Sequence, residues 1–351
     1  MAKPIYTPSS EAECPHGGDV LEREITDGGF SSGWAMHVKP VPRYYFDAHV
    51  HFAAGTCEGL RLAEAAAIDA KRAMELGVHR ALVIINLFGA RRNHAMRTGD
   101  VMDNFPYFAP EALPQLLADI PEGMHWAAYL NYKSPEPALV QAAAAHGARC
   151  IKLHNAAQIE DNAPCGLWLS EDWQAAFAEI AACGLPVLWH VTQRLTDCPY
   201  TGGARNAYWA KGRANGVRYT NEDLLQVFLQ CCRLHPSIPF IGAHQLHIGW
   251  DRLDDLFTQH PNLYVDATVG CVLRENDVLY PQDKKYLREM FIRRADRILF
   301  GSDVCWGEAH FDAEDYKKHQ RFLCALDLPG DVLDMVCHGN AERLFCLEAL
   351  G

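Results

Sequence analysis

Residues 44–51 have the sequence Tyr-Tyr-Phe-Asp-Ala-His-Val-His, an apolar run that ends in two histidines separated by one residue. The run predicts a buried strand. Because successive side chains of a strand point to opposite faces, we expect His49 and His51 to point the same way. Two imidazoles side by side at a strand end can bind one metal ion. This stretch therefore predicts the first strand of the fold and a metal site at the end of that strand.

Seven further apolar runs follow, and helix-like stretches separate most of them. The runs are residues 79–87, 125–131, 148–153, 186–191, 239–243, 262–268 and 297–301. Strands that alternate with helices predict parallel pairing with right-handed crossovers. Eight such units fit a closed barrel better than an open sheet, because a barrel needs no edge strand. The sequence therefore predicts the α/β class, as a single (β/α)8 TIM barrel.

The two ends of the chain differ from this pattern. Residues 1–43 are rich in Pro, Gly, Ser and Glu and have no clear period, which predicts an irregular N-terminal arm. Residues 44–351 are predicted to form the catalytic barrel domain. After Gly301 the pattern predicts extra C-terminal helices at residues 312–326, 331–337 and 340–350.

Composition excludes several classes of partner. The chain has 351 residues, 49% of them hydrophobic, and a formal net charge of −12. An acidic chain gains nothing from counterion release, so nucleic acid is not an expected partner. No apolar run is long enough to span a membrane, and the N-terminus lacks the apolar region of a signal peptide. The 13 cysteines have irregular spacing without C-x-x-C, so we expect free thiols and a cytoplasmic protein.

Polar side chains also stand at the ends of later strands. They are Lys152, His154, His190, His244, His247 and Asp303. In a parallel barrel the ends of these strands meet at one rim, where active sites lie. A single histidine at a strand end is often structural, but accident rarely brings several polar strand ends to one rim. Imidazole and carboxylate groups suit Zn²⁺ or another divalent first-row ion.

Six short motifs carry a resemblance to a known family. They are DAHVH at 47–51, KLH at 152–154, VLWH at 187–190, GAH at 242–244, LFGSD at 299–303 and GNAERLF at 339–345. In this order they resemble the amidohydrolase superfamily, and most closely its amidohydrolase-2 (amidohydrolase-related) branch. That branch of TIM-barrel enzymes includes metal-dependent hydrolases and decarboxylases of the aminocarboxymuconate-semialdehyde type.

The resemblance implies a set of roles. His49, His51 and His190 would be metal ligands, and Asp303 would be a fourth ligand that also accepts a proton. His244 would act on the substrate. The cofactor would be Zn²⁺ or another divalent first-row metal, most simply one ion. A bound metal lowers the pKa of its water towards ~7, which makes a nucleophile available at neutral pH. His244 could polarise a carbonyl or stabilise the charge that develops on it.

The roles of Lys152 and His154 on the predicted fourth strand, and of His247 after the sixth, have several alternatives. In binuclear relatives a lysine at the position of Lys152 is carbamylated and bridges two metals. Lys152 could instead hold a substrate carboxylate, or pair with a neighbouring acid. His154 lies on the same strand face and is a candidate for the substrate pocket. His247 lies just past its strand and could face the pocket or the surface.

Three long connections are expected to cover the same rim: residues 88–97, 192–221 and 269–280. The second carries Arg205, Arg213 and Arg218, which are candidates for binding substrate. Arginines on an acidic protein favour local attraction for an anionic substrate. The alternative is that these arginines are solvated or paired with nearby acids.

These observations give two enzymatic hypotheses. The first is hydrolysis of a C–N or C–O bond in an amide, lactone or ester of a small anionic organic compound, by a metal-activated water. The second is non-oxidative decarboxylation of an aromatic or unsaturated acid. We favour hydrolysis because Lys152 and His154 depart from the decarboxylase pattern. A third hypothesis is a metal-binding regulator without enzymatic activity, which the intact set of predicted ligands disfavours. By resemblance, a homodimer is a possible assembly.

Overall fold

The computed structural model describes residues 21–22, 37–38, 40–52, 62–87, 107–193, 207–268, 281–306 and 311–350. Most of the predicted N-terminal arm lies outside these ranges, so the boundary at residue 43 stays a prediction. Within the arm, Leu21–Glu22 pairs antiparallel with His37–Val38. The predicted connections at 88–97 and 269–280 lie outside the described residues, and so does Arg205.

Nine strands form one parallel sheet. In chain order they are β1 (Tyr45–Phe52), β2 (Val78–Leu87), β3 (Met124–Leu130), β4 (Cys150–His154), β5 (Val187–His190), β6 (Phe240–Gly242), β7 (Leu263–Asp266), β8 (Ile298–Leu299) and β9 (Val304–Trp306). Their spatial order is β8-β7-β6-β5-β4-β3-β2-β1-β9. Consecutive strands from β1 to β8 are thus neighbours, as the repeated units predicted. A short strand, Tyr107–Phe108, also pairs with β2.

The last two strands close the barrel. β8 pairs with β7 through Asp266 and Leu299, while β9 pairs with β1 through His51 and Cys305. Between them, the N–H of Ala48 donates to the carbonyl of Phe300 at 3.0 Å. The chain from Ile298 to Trp306 therefore borders both the seventh strand and the first. This confirms the predicted (β/α)8 barrel.

Helices follow the strands and lie around the barrel. They are α1 (Leu62–Glu75), α2 (Leu113–Leu116), α3 (Pro137–Ala145), α4 (Ala156–Glu160), α5 (Glu171–Ala182), α6 (Ala207–Ala214), α7 (Asn221–Leu234), α8 (Trp250–Gln259), α9 (Pro281–Arg293), α10 (Ala313–Ala325), α11 (Gly330–Asp334) and α12 (Asn340–Leu344). A π-helical turn, Met335–Gly339, joins α11 to α12. The predicted C-terminal helices are therefore present, although the last one ends at Leu344 and not at residue 350. No helix in the described ranges has the length and apolar character needed to cross a membrane.

The start of α7 shows how the sequence defines these helices. The hydroxyl of Thr220 accepts from the N–H of Asp223, and the carboxylate of Asp223 accepts from the N–H of Thr220 at 2.7 Å. This reciprocal pair satisfies two N–H groups that have no partner within the helix. Leu224, Leu225 and Phe228 recur at helical spacing and are buried, so α7 packs its apolar face on the barrel.

The core has two layers. Strands β1 to β6 and β8 contribute to an inner cluster that includes Phe46, Leu82 and Leu188, which fills the barrel. A larger cluster lies between the strands and the helices and includes Trp173 and Phe228. Because side chains alternate along a strand, the residues above the inner layer at each strand end face the rim.

The cysteines of the described residues depart from the prediction at one position. Eight are free thiols, and four of these are buried. Cys324 is disulfide-bonded, so the expectation of a free thiol there was wrong.

Candidate metal centre

The first strand presents His49 and His51 together. The pairing register of β1 with β2 shifts between Asp47 and Val50. Phe46 and Ala48 lie in the inner layer before this shift, whereas Val50 packs in the outer layer after it. The irregularity therefore turns both histidines towards the rim, which is how bulges re-aim side chains near active sites. Their ring centroids lie 5.2 Å apart.

Asp303, from the last strand segments of the barrel, lies beside these two histidines at the same rim. Its Oδ1 lies 3.2 Å from Nε2 of His49 and 3.1 Å from Nε2 of His51. Asp303 has a φ of 62°, and its N–H donates to the carbonyl of His49 at 2.8 Å. Ligand atoms of the three residues all lie within 4.8 Å of one another. The structure thus brings together three of the four predicted metal ligands.

The charge of Asp303 is set by its neighbours. Burial alone would raise the pKa of Asp303, but the imidazoles of His244, His49 and His51 hold it well below its usual range. The carboxylate is therefore ionised at neutral pH, and its side chain keeps 30% exposure. An ionised, partly open carboxylate can bind a cation and still reach a substrate.

Asp266, at the end of β7, orients His49. Its Oδ2 lies 2.8 Å from Nδ1 of His49, and both side chains are fully buried. Its Oδ1 accepts from the N–H of His244 at 2.8 Å and from the hydroxyl of Thr268 at 2.7 Å. Burial alone would raise the pKa of Asp266, but His49 and its other donors hold it below its usual value. Nδ1 of His49 therefore donates, which leaves a lone pair on Nε2, the atom that lies 3.2 Å from Oδ1 of Asp303 and 2.8 Å from Nζ of Lys152.

Sequence reasoning missed Asp266. The available signal was its position: Tyr264 packs on the inner layer, and Asp266 follows two residues later at the strand end. The same spacing places His190 above Leu188 on β5.

Asp47 supports the same strands from below. Its carboxylate accepts from the N–H of His49 at 3.1 Å, from the N–H of Ser302 at 3.0 Å and from the hydroxyl of Ser302. Burial raises the pKa of Asp47 to about 6. These bonds fix the backbones that carry His49 and Asp303 relative to each other.

A second group of imidazoles stands beside the first. Ligand atoms of His190, His244 and His247 lie within 4.8 Å of one another. The ring centroid of His244 lies 4.6 Å from that of His190 and 5.2 Å from that of His49. Its Nε2 is 3.7 Å from Oδ2 of Asp303. The structure therefore places His190 next to His244 and His247, with His244 between the two groups.

Two of these imidazoles, those of His190 and His244, have lowered pKa values. Burial lowers the pKa of His244 to about 4, and burial together with neighbouring imidazoles holds the pKa of His190 well below its usual value. A neutral imidazole keeps the lone pair that a metal needs. Nε2 of His190 is buried and has no hydrogen-bond partner among the described residues, which leaves it available as a donor to a cation.

The backbone that carries His244 and His247 is unusual. Residues 244–247 all have φ between 52° and 56°, the left-handed region. For residues other than glycine this conformation costs roughly 1–2 kcal/mol each. The side chain of Gln245 donates to the carbonyls of Asp266 at 2.7 Å and Thr268 at 2.9 Å and holds the turn. The turn stacks the rings of His244 and His247, with centroids 5.0 Å apart and planes 5° apart.

Lys152 and His154 rise from β4 into the same space. Nζ of Lys152 lies 2.8 Å from Nε2 of His49, and its side chain is fully buried. Nδ1 of His154 accepts from the N–H of Ala156 at 2.9 Å, so a neutral ring carries its proton on Nε2. The ring of His154 lies 4.2 Å from that of His190. Both residues therefore border the candidate metal centre.

The two described arginine candidates lie further out, and both are exposed. Arg213 donates to the carbonyl of Val217 at 2.8 Å, and its guanidinium stands 4.9 Å from the ring centre of Trp209. Arg218 donates to the same carbonyl at 3.4 Å.

The donor set fits a divalent first-row ion. Three imidazole nitrogens and one carboxylate are the ligands that Zn²⁺ and its neighbours prefer. Metal sites usually have a carboxylate bonded to the far ring nitrogen of a histidine ligand, and Asp266 stands in that position behind the candidate ligand His49.

Comparisons with known proteins agree with this architecture. The family model described as Amidohydrolase matches residues 46–347 of the chain. No curated protein sequence matches it.

Several solved structures share the fold. One is 5-carboxyvanillate decarboxylase from Novosphingobium aromaticivorans, complexed with manganese, with a TM-score of 0.53, 14% identity and coverage of 87% of this chain and 97% of that chain. Another is dihydroorotase from Campylobacter jejuni, with a TM-score of 0.51, 14% identity and coverage of 88% and 85%. A third is a probable 2-pyrone-4,6-dicarboxylic acid hydrolase from Acinetobacter baumannii, with a TM-score of 0.50, 13% identity and coverage of 86% and 99%. At these identities the likeness shows the fold.

Proposed function

The chain belongs to the amidohydrolase family, and from this premise we propose that it is a metal-dependent hydrolase of small anionic organic compounds. The bond cleaved is a C–N or C–O bond of an amide, lactone or ester, and the nucleophile is a metal-activated water. The convergence of His49, His51 and Asp303 at the barrel rim is the observation that carries this proposal. Family membership supports an enzyme in any case.

One divalent ion is sufficient for this chemistry. His49 and His51 would hold it through Nε2, Asp303 through its carboxylate, and His190 would supply a further imidazole from β5. Zn²⁺ or another divalent first-row metal suits these donors, and a structural neighbour with bound manganese supports that class of ion. When bound, such an ion lowers the pKa of water and polarises a carbonyl.

Asp303 and His244 divide the proton chemistry. Asp303 is ionised and partly exposed, so it can accept the proton of the attacking water. His244 is neutral and lies 3.7 Å from Asp303, so it can donate a hydrogen bond to the carbonyl as negative charge develops there. Asp266 holds the backbone N–H of His244 and so positions this group.

Lys152 and His154 are the proposed inner contacts to substrate. His154 offers an Nε2–H donor next to His190. A charged Lys152 beside a bound metal would be disfavoured unless an anion stood between them. A substrate carboxylate meets that requirement, and so does a carbamate formed on Lys152 itself. A homodimer and a cytoplasmic location stay predictions.

The test separates hydrolysis from decarboxylation. Purified protein with defined metal content is incubated with a panel of carboxylated amides, lactones and esters, and with aromatic acids. We expect acid release from members of the first group, no CO₂ from the second and loss of activity on chelation. CO₂ release without hydrolysis would replace this proposal with the decarboxylase hypothesis. Full activity in the presence of chelator would remove the metal from the mechanism.

A further inference from the structure

A cavity of about 530 Å³ adjoins the candidate metal centre. Its lining residues are Thr192, Trp209, Arg213, Thr220, Asn221, Glu222, Leu225, His247, Ile248 and Arg252. A volume of this size suits a small organic molecule. His247 belongs both to this lining and to the group that it forms with His190 and His244. The cavity therefore extends from the imidazole group of His190, His244 and His247 towards α6 and the start of α7.

The side of the cavity formed by Trp209 and Asn221 is held by hydrogen bonds to the barrel. Trp209 is 8% exposed, and its indole N–H donates to Oδ1 of Asn221 at 3.2 Å. Asn221 also accepts from the N–H of Gln193 at 2.9 Å and donates to the carbonyl of Gln193 at 2.7 Å. Gln193 follows β5 by three residues. These bonds connect Trp209 and Asn221 to the segment that follows β5, the strand that carries His190. The position of this side of the cavity relative to His190 is therefore fixed.

Among the lining residues, one of the two arginines is paired with a carboxylate and the other is not. Arg252 forms two bonds of 2.7 Å with the carboxylate of Glu222, so this pair is neutral overall. Arg213 has no carboxylate partner among the residues that the structure describes. Its Nη1 donates to the carbonyl of Val217, and its guanidinium carbon lies over the ring of Trp209 at 4.9 Å from the ring centre, which orients the guanidinium. The edge formed by Nε and Nη2 matches a carboxylate with two parallel hydrogen bonds.

We propose that this cavity is the subsite for an anionic group of the substrate, and that Arg213 is the residue that selects it. The inference rests on the proposed function and makes it more specific. The substrate carries a hydrolysable carbonyl at the metal and a separate carboxylate at Arg213. Its apolar middle lies against Trp209, Leu225 and Ile248. Arg218 is left out of this site because it does not line the cavity.

Binding of two probes of equal shape tests this assignment without any turnover. Benzoate and its neutral counterpart benzamide are titrated calorimetrically into the native protein and into Arg213→Met and Arg218→Met. All three are measured with metal and after chelation. We expect the native protein to prefer benzoate by about tenfold or more, as charge-assisted bonds allow. Arg213→Met should bring that preference below about twofold, and Arg218→Met should keep it.

Each other outcome contradicts the proposal. If the preference survives in Arg213→Met but disappears on chelation, the metal holds the anion. If both variants lose it equally, a diffuse positive potential is responsible. If the native protein binds neither probe, the cavity is not a subsite. A failure of the hydrolysis assay leaves these binding results intact, so the two proposals fail separately.

Discussion

Nδ1 of His49 lies 2.8 Å from Oδ2 of Asp266, and neither side chain is exposed to solvent. The same carboxylate accepts the backbone N–H of His244. One buried acid on β7 therefore sets the orientation of a proposed metal ligand and of the proposed substrate-activating histidine.

Asp266→Asn should weaken metal binding by about 10- to 100-fold, because Asn keeps a hydrogen-bond acceptor for His49 but loses the charge that makes the imidazole basic. The measurement is a competitive titration of the metal with a chromophoric chelator. Asp251→Asn, an exposed change in the first turn of α8, is the control and should leave affinity unchanged. Equal affinity in native protein and Asp266→Asn would show that this contact is structural only.

The two central histidines should separate in their effects. His190→Ala should lose metal and activity together, since it removes a proposed ligand. His244→Ala should keep the metal and lower kcat by roughly 10²- to 10⁴-fold, the usual contribution of a group that transfers or stabilises a proton. Elemental analysis beside turnover gives both readouts. Loss of metal in His244→Ala would make it a ligand instead.

Lys152→Met should retain one ion per chain and bind it at least as tightly as the native protein. Nζ of Lys152 lies 2.8 Å from a proposed ligand nitrogen, and a charged ammonium there would repel a divalent cation. Metal stoichiometry and affinity are measured together. A native protein with two ions that drops to one in this variant would establish the carbamylated bridge.

Gln245→Ala should loosen the left-handed turn at residues 244–247. Its amide donates to two buried carbonyls, and losing such partners costs about 1–3 kcal/mol for each buried group left unsatisfied. Urea denaturation measures the free energy of unfolding. Gln226→Ala removes an exposed bond to Glu222 and should change stability little. If both variants have the same small effect, the turn does not depend on Gln245.

His319 should make stability depend on pH. Burial lowers its pKa to about 4, whereas an unfolded chain has the ordinary value of 6.5. Protonation therefore favours the unfolded chain, so this contribution is complete above pH 6.5 and is lost as pH falls towards 4. His319→Asn keeps a side-chain N–H for the carbonyl of Asp315 and cannot titrate.

The difference in unfolding free energy between native protein and His319→Asn should be constant above pH 6.5. Between pH 6.5 and 4 it should change in favour of the variant by up to about 1.4 kcal/mol per pH unit. Other buried histidines titrate in both proteins and cancel in this comparison. A difference that stays flat across the whole range would mean that His319 is not a buried neutral group.

Much of the fold could be predicted from the sequence because buried parallel strands are continuous apolar runs. The run at 186–191 became β5 at Val187–His190, and the run at 262–268 became β7 at Leu263–Asp266. Three candidate ligands came together because strand ends in a closed barrel meet at one rim. The short strand Val304–Trp306 was not predicted. The polar residues Ser302 and Asp303 separate it from Ile298–Leu299, so the sequence shows no continuous apolar run there.

The left-handed turn lay beyond sequence reasoning for a different reason. Residues 244–247 are His, Gln, Leu and His, with no glycine or asparagine to suggest positive φ. The conformation comes from tertiary partners, chiefly the carbonyls of Asp266 and Thr268 that receive the Gln245 amide. His247 therefore reaches the cavity through a backbone conformation that no local pattern encodes.

The position of Asp303 has a thermodynamic consequence. It lies between β8 and β9, where the end of the barrel meets its beginning, while His49 and His51 belong to the opening strand. An ion held by all three would join the first and last parts of the ring across a long span of sequence. Cofactor uptake and ring closure would then be linked equilibria, and at a free ion concentration of 100 times Kd saturation adds about 2.7 kcal/mol to folding.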